Sequence, residues 1–191
     1  MKVGVLALQG AFREHRELLE ALGVDTVEVR SPASLGAVDA LILPGGESTT
    51  IGKLLVTSGL LPALRERVAD GLSVLGTCAG LILLATDVLD GRSDQPTLAA
   101  LDATVRRNGY GTQLQSFEAD LDVAGLTGPF PGVFIRAPQL ERTGPDVEIL
   151  AYHDARAVLC RQGPVWGSTF HPELSGDLRL HERFLQSVEA R

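Results

Sequence analysis

Three stretches in the first half of the chain, residues 2–8, 38–43 and 72–77, are apolar without alternation. A strand with one face in water alternates polar and apolar residues, so a run without alternation is buried on both faces. Helical spacing lies between these runs. Residues 13–22 carry Leu18, Leu19 and Leu22, and Gly23 follows as a stop signal. Residues 25–29 alternate as a further strand. Residues 50–58 and 62–70 read as helices, the second with Pro62 near its first turn, and residues 79–85 as another. Strand and helix in turn predict an α/β fold: a central, mostly parallel sheet flanked by helices on both faces.

Beyond about Gly91 the pattern changes. Residues 103–107, 116–121, 133–135, 148–152, 157–161 and 165–170 read as short strands separated by turn residues. They either extend the sheet or add antiparallel strands. Residues 177–190 close the pattern as an amphipathic helix. The 191 residues, 45% of them hydrophobic, suffice for one core, and no repeat or linker divides them, so a single domain over 1–191 is expected.

Net charge is −7 without a basic cluster, which argues against nucleic acid or an anionic membrane as partner. Two cysteines, Cys78 and Cys160, are too few for a disulfide framework and fit a reducing cytoplasm. The apolar run after Met1 is too short for a signal peptide, and no stretch approaches the ~20 apolar residues of a membrane span.

One cysteine is framed. In Leu75-Gly76-Thr77-Cys78-Ala79-Gly80 it stands between a predicted buried strand and a predicted helix, with glycine two places away on each side. A nucleophile elbow needs this arrangement, because bulk at the flanking positions would block the sharp turn. The helix N-terminus would favour thiolate, and the Ala79 N–H could donate to a developing oxyanion. Cys160 has no such frame and reads as a buried structural thiol.

A thiol nucleophile needs a base and something to hold it. His171 follows an apolar strand in Thr169-Phe170-His171-Pro172-Glu173. With Pro172 keeping the backbone extended, His171 and Glu173 should point the same way, carboxylate orienting imidazole. Both Cys78 and His171 follow strand ends, where parallel sheets bind ligands. His15 and His181 sit among charges on predicted helices and read as solvated; His153 reads as structural. Leu43-Pro44-Gly45-Gly46-Glu47-Ser48-Thr49 is a second edge loop. Its spacing fails the P-loop pattern, and Glu47 would repel phosphate. Gly45 and Gly46 could turn N–H groups toward an oxyanion, Glu47 could meet an ammonium group, and Ser48 or Thr49 could cap the following helix.

With the elbow and His171-Pro172-Glu173 in place, the chain resembles the class I (triad) glutamine amidotransferases. Gly4–His15, Leu43–Thr50, Arg107–Gly111, Ser116–Leu121 and Phe134–Pro138, in that order, resemble the glutaminase subunits of pyridoxal 5′-phosphate synthase. The resemblance implies a glutaminase. Cys78 would be nucleophile, His171 base and acid, and Glu173 orienter. Gly46, Glu47, Ser48, Arg107, Ile135 and Arg136 would contact L-glutamine, and Gly46 and Ala79 would form the oxyanion hole. It implies no metal and no cofactor. The implied partner is a synthase subunit, a large ring assembly decorated by glutaminase subunits, which receives the ammonia; residues 7–15 are a candidate docking surface. Thr112 departs from the family, which usually has arginine there. The rival readings are another cysteine hydrolase on a similar sheet and a non-catalytic regulatory subunit.

Overall fold

Both faces of the central sheet are covered, which is why its strands lack alternation. Along residues 40–43, Ala40 and Ile42 pack into one apolar cluster and Leu41 and Leu43 into another. Val74 and Leu75 divide in the same way. The computed structural model describes residues 1–109 and 116–191; Thr112 therefore lies outside the described residues.

In chain order the elements are β1 (Lys2–Leu6), α1 (Phe12–Ala21), β2 (Asp25–Val29), α2 (Pro32–Leu35), β3 (Ala40–Leu43), α3 (Ser48–Thr57), α4 (Leu60–Ala69), β4 (Ser73–Thr77) and α5 (Ala79–Leu84). After them come β5 (Ala85–Leu89), β6 (Leu101–Arg106), β7 (Ser116–Leu121), β8 (Phe130–Ile135), β9 (Gln139–Thr143), β10 (Glu148–His153), β11 (Arg156–Gln162), β12 (Val165–Ser168), a 3₁₀ turn (Pro172–Leu174) and α6 (Arg179–Glu189).

The central sheet has the order β10-β11-β12-β4-β3-β1-β2. From β12 to β2 the pairs are parallel; β10 and β11 continue the sheet as an antiparallel edge. Two small sheets, β5-β6-β9 and β7-β8, lie outside it. The later strands thus do both things left open by the sequence. One cluster joins β3 and β4 to α3, α4, α5 and the β5-β6-β9 sheet; the other joins the opposite face to α1, α6 and the aromatic residues Phe130, Phe134, Phe170 and Trp166.

Three elements escaped the sequence reading. α2 is a single turn, begun by Ser31, whose hydroxyl accepts from the Ser34 N–H in a capping box. β5 begins at the residue directly after the last of α5, so no turn signal separates them, and Ala85 belongs to the strand rather than to the predicted helix. β9 has one buried residue in five, Leu140, and gives no period to read. Elsewhere the predicted segments coincide with elements whose ends shift by at most three residues, close to the ordinary uncertainty of fraying ends.

Register sets the site. Leu43 pairs with Gly76, and Thr77 with Ser168, so the carboxyl ends of β3, β4 and β12 finish side by side. The Gly45-Gly46 loop leaves β3, Cys78 leaves β4 and His171 leaves β12, so all three emerge on one edge. Among the described residues, no helix is long and apolar enough to cross a membrane.

Candidate active site

The elbow is built as its glycines suggest. A Cβ on Gly80 would overlap the carbonyl oxygen of Leu43, and one on Gly76 would lie 2.7 Å from the Gly80 carbonyl. Only bare backbone lets α5 start so close to β3 and β4. Cys78 is the N-cap of α5, with φ 50° and ψ −101°. This left-handed backbone is costly for a residue with a side chain, and packing on both sides holds it there. Cys78 N–H donates to Ser168 O at 2.8 Å, which ties the turn to β12. Ala79, first residue of α5, has an N–H that no preceding helical turn can satisfy.

His171 and Glu173 meet as expected, but by another route. Pro172 begins a 3₁₀ turn instead of extending the chain; proline fits the first position of a helix because its missing N–H would find no partner there. Within this turn Glu173 Oε1 accepts from His171 Nδ1 at 2.6 Å. That leaves Nε2 as the ring nitrogen for the thiol. Burial disfavours imidazolium, but hydrogen bonds to Cys78 and Glu173 outweigh it and raise His171 from 6.5 to about 10. Burial would raise Glu173, yet the charges of His15 and His171 and the His171 hydrogen bond hold it below the usual carboxylate range.

Cys78 and His171 share a cavity of about 390 Å³ with Gly46, Glu47, Ser48, Arg107, Ile135 and Arg136. Every residue expected to touch a substrate lines this one cleft, apart from Ala79, which stands directly behind Cys78. Arg136 has φ 42° and makes no ion pair with a described residue. Ser48 Oγ is buried with no hydrogen-bond partner among the described residues.

Glu47 behaves differently from expectation. Its carboxylate, rather than the Ser48 or Thr49 hydroxyl, caps α3, accepting from Thr49 N at 3.0 Å, Thr50 N at 2.7 Å and Thr50 Oγ1 at 2.7 Å. Burial opposes ionisation, but these bonds prevail and bring the carboxyl down to about 2. Arg107 pairs with it at 2.9 Å. The side chain is thus engaged with protein while it still lines the cleft.

Two histidines read as solvated are fully buried. His15 and His181 are each 0% exposed, and His15 stands beside the Glu173 carboxylate. The flanking charges misled, whereas helical period would have found both residues. His15 lies four residues before buried Leu19; His181 lies three before Phe184 and four before Leu185. Gln9 was also missed. Its Oε1 accepts from Glu47 N at 2.9 Å and braces the glycine loop from the end of β1. A lone glutamine after a strand carries no signal to find it by. Cys160 and His153 match expectation: Cys160 donates to Gly167 O in the core, and His153 stacks on Phe117.

Comparison with known proteins agrees with this geometry. A model of the SNO glutamine amidotransferase family matches residues 5–190. The pyridoxal 5′-phosphate synthase subunit PdxT of Roseiflexus sp. (strain RS-1) is 56% identical over 187 residues, covering 97% of this chain and 99% of its own. The protein of the same name from Thermus thermophilus is 57% identical over 185 residues, covering 96% of each chain. A crystal structure of a glutamine amidotransferase superposes with a TM-score of 0.93 at 53% identity, over 98% of each chain.

Proposed function

The chain belongs to the SNO glutamine amidotransferase family, and from that premise we propose that it is the glutaminase subunit of a pyridoxal 5′-phosphate synthase. Residues 1–191 act as one glutaminase unit that hydrolyses L-glutamine and passes the ammonia to a separate synthase subunit. The observation that carries this reading is the strained Cys78 at a helix N-terminus, in one cleft with a His171 that Glu173 holds and with Arg107 and Arg136.

Cys78 sulfur attacks the side-chain carboxamide carbon of glutamine, and the carbonyl electron pair moves onto oxygen. The N–H groups of Gly46 and Ala79 receive that oxyanion; one such donor is typically worth ~3 kcal/mol. The intermediate collapses, the C–N bond breaks, and imidazolium His171 gives its proton to the leaving nitrogen. Ammonia departs and a thioester remains. Neutral His171 then takes a proton from water, whose oxygen attacks the thioester. Collapse releases glutamate and returns sulfur to its starting form beside protonated His171. The guanidinium of Arg136, which pairs with no carboxylate among the described residues, suits the substrate α-carboxylate. Glu47 contributes through its backbone and Ser48 through its unpartnered hydroxyl, with Ile135 and Arg107 completing the wall.

Ammonia set free in neutral water becomes ammonium, which is not nucleophilic, so it must travel sheltered. The receiver is the synthase subunit, a ring assembly decorated by glutaminase subunits, with residues 7–15 as the docking segment. The free thiols suit a reducing cytoplasm. Glutamate release measured with and without the synthase tests the proposal. The rate should rise with the partner present, and a chain that releases no glutamate in either case would refute it.

A further inference from the structure

The triad does not end at Glu173. Its Oε1 is held by His171, but Oε2 is buried and makes no well-aimed hydrogen bond with a described residue. His15 Nε2 stands 3.3 Å from it, on the side of the carboxylate away from His171. The same nitrogen is 3.2 Å from Thr77 Oγ1, in the residue before the nucleophile. His15 Nδ1 in turn lies 2.9 Å from His181 Nε2, and His181 Nδ1 is buried without a partner among the described residues. Thus α1, β4, α6 and the 3₁₀ turn each contribute one group to a polar chain running inward from the cleft.

Hydrogen-bond bookkeeping fixes the tautomers in this polar chain. Suppose His15 carries its proton on Nε2. It then donates toward Glu173 Oε2 and Thr77 Oγ1, its Nδ1 accepts from His181 Nε2–H, and the group left over is a bare nitrogen on His181. Suppose instead that the proton is on Nδ1. A lone pair then faces the carboxylate at 3.3 Å, and His181 Nδ1–H becomes a buried donor with no acceptor. Unsatisfied buried donors are the rarer and costlier fault, so the first arrangement prevails. Protonating both rings is disfavoured as well. Burial pulls His15 down, Glu173 and Glu14 only partly opposing it, and burial with the His15 charge takes His181 down to about 3.

Resting on the glutaminase reading above, we propose that His15, backed by His181, is a positioning residue: its Nε2–H edge, hydrogen-bonded to Thr77 Oγ1, lies 3.3 Å from the second oxygen of Glu173 and steadies its charge, so that the first stays on His171 Nδ1. An ionised carboxylate in a dry site needs donors on both oxygens. Without His15, Oε2 faces apolar packing, and Glu173 gains a proton more readily. The groups that bear on this titration are His171 on the same turn, His15 and Glu14 on α1, His181 on α6, and Cys78 at the elbow.

The experiment compares His15→Leu and His15→Gln with the wild-type full chain, assayed with the synthase present across a pH series. Glutamine places an amide donor near the position of Nε2; leucine places none. His15→Leu should lower kcat ~10- to 100-fold, the usual effect of losing an outer partner of a catalytic group, with KM for glutamine nearly unchanged. The acid limb of kcat/KM should move up by about one pH unit, and His15→Gln should restore most of both. Nitrogen NMR of histidine-labelled wild-type chain should find His15 neutral and protonated on Nε2. The proposal is overturned if His15 is protonated on Nδ1, if leucine and glutamine are equally impaired, or if kcat falls while the acid limb stays put. Should the wild-type chain release no glutamate, the glutaminase reading falls, and the tautomer still decides this proposal.

Discussion

The chain carries one thiol where a strand ends and another inside a strand, and the two differ in everything except chemistry. Cys78 sits at the end of β4 with φ 50°, opening on the cleft it shares with His171. Cys160 sits in β11, paired with Gly167 of β12 and fully buried; burial pushes its thiol up to about 12, against a small opposing hydrogen bond to Gly167. A strand interior satisfies its backbone by ladder bonds and leaves the sulfur mostly apolar neighbours and one long contact to a carbonyl. The carboxyl edge of a parallel sheet leaves N–H groups and loop side chains converging on whatever residue turns the corner. Reactivity here follows from position in the sheet.

The largest test of that contrast is substitution of each thiol. If Cys78 is the nucleophile proposed above, Cys78→Ala should reduce glutamate release to background, a loss on the order of 10⁶-fold, as measured where a triad nucleophile is removed. Cys160→Ala should keep the rate within about twofold, while removal of a buried sulfur lowers stability by about 1 kcal/mol. A steady-state assay and a denaturant titration measure the two. Retained hydrolysis in Cys78→Ala would break the comparison.

This contrast was legible in the sequence because glycines frame one cysteine and not the other. The strands around it were legible for a related reason: a run buried on both faces cannot alternate. Other parts were not. The pairing of His171 with Glu173 was foreseen from a two-residue period, yet a proline-led 3₁₀ turn produces it. Two geometries served one contact, and sequence could not choose between them. The burial of His15 and His181 was misread because neighbouring charges outweighed helical period, although the period was there in Leu19, Phe184 and Leu185. Glu47 was offered to a ligand because a carboxylate at a loop tip looks free. Its capping role depends on Thr49 and Thr50 N–H groups that converge only once α3 exists. Gln9 depends on a loop 38 residues away and could not be found locally.

A second test moves from the thiols to the glycines beside them. Near Cys78, a Cβ on Gly80 would collide with the Leu43 carbonyl, which is backbone and cannot yield. Near Cys160, a Cβ on Gly167 would meet Leu81 Cδ1 at 2.6 Å, Leu101 Cδ2 at 3.2 Å and Cys160 Sγ at 3.5 Å, all side-chain atoms. Gly80→Ala should therefore cost about 3 kcal/mol or more and displace the elbow, with activity lost along with stability. Gly167→Ala should cost about 1–2 kcal/mol and leave the rate near wild type. Chemical denaturation of the two variants beside the parent measures the difference; equal costs would mean that the elbow can relax, and that its strain is not imposed by packing against β3.

The smallest expected effect separates the two regions by pH. His171 is raised from 6.5 to about 10 in the folded chain. Its contribution is present in full below about pH 6.5, where imidazolium exists in both states, and is lost as pH rises toward about 10. Cys160 is raised from 9.0 to about 12. The unfolded thiol ionises above about pH 9 while the folded one stays neutral, so its loss begins where that of His171 is ending. Stability of the wild-type chain should decline in two stages, the first set at the sheet edge and the second in the strand. Cys160→Ala removes only the second stage. Its deficit against wild type should shrink by about 1 kcal/mol between about pH 8 and pH 10, since each unit of pH beyond the unfolded value is worth ~1.4 kcal/mol. Denaturant midpoints across that range read the change. A deficit that stays constant would mean that the Cys160 thiol ionises as readily folded as unfolded, and the strand interior would then be no more protective of a thiol than the edge.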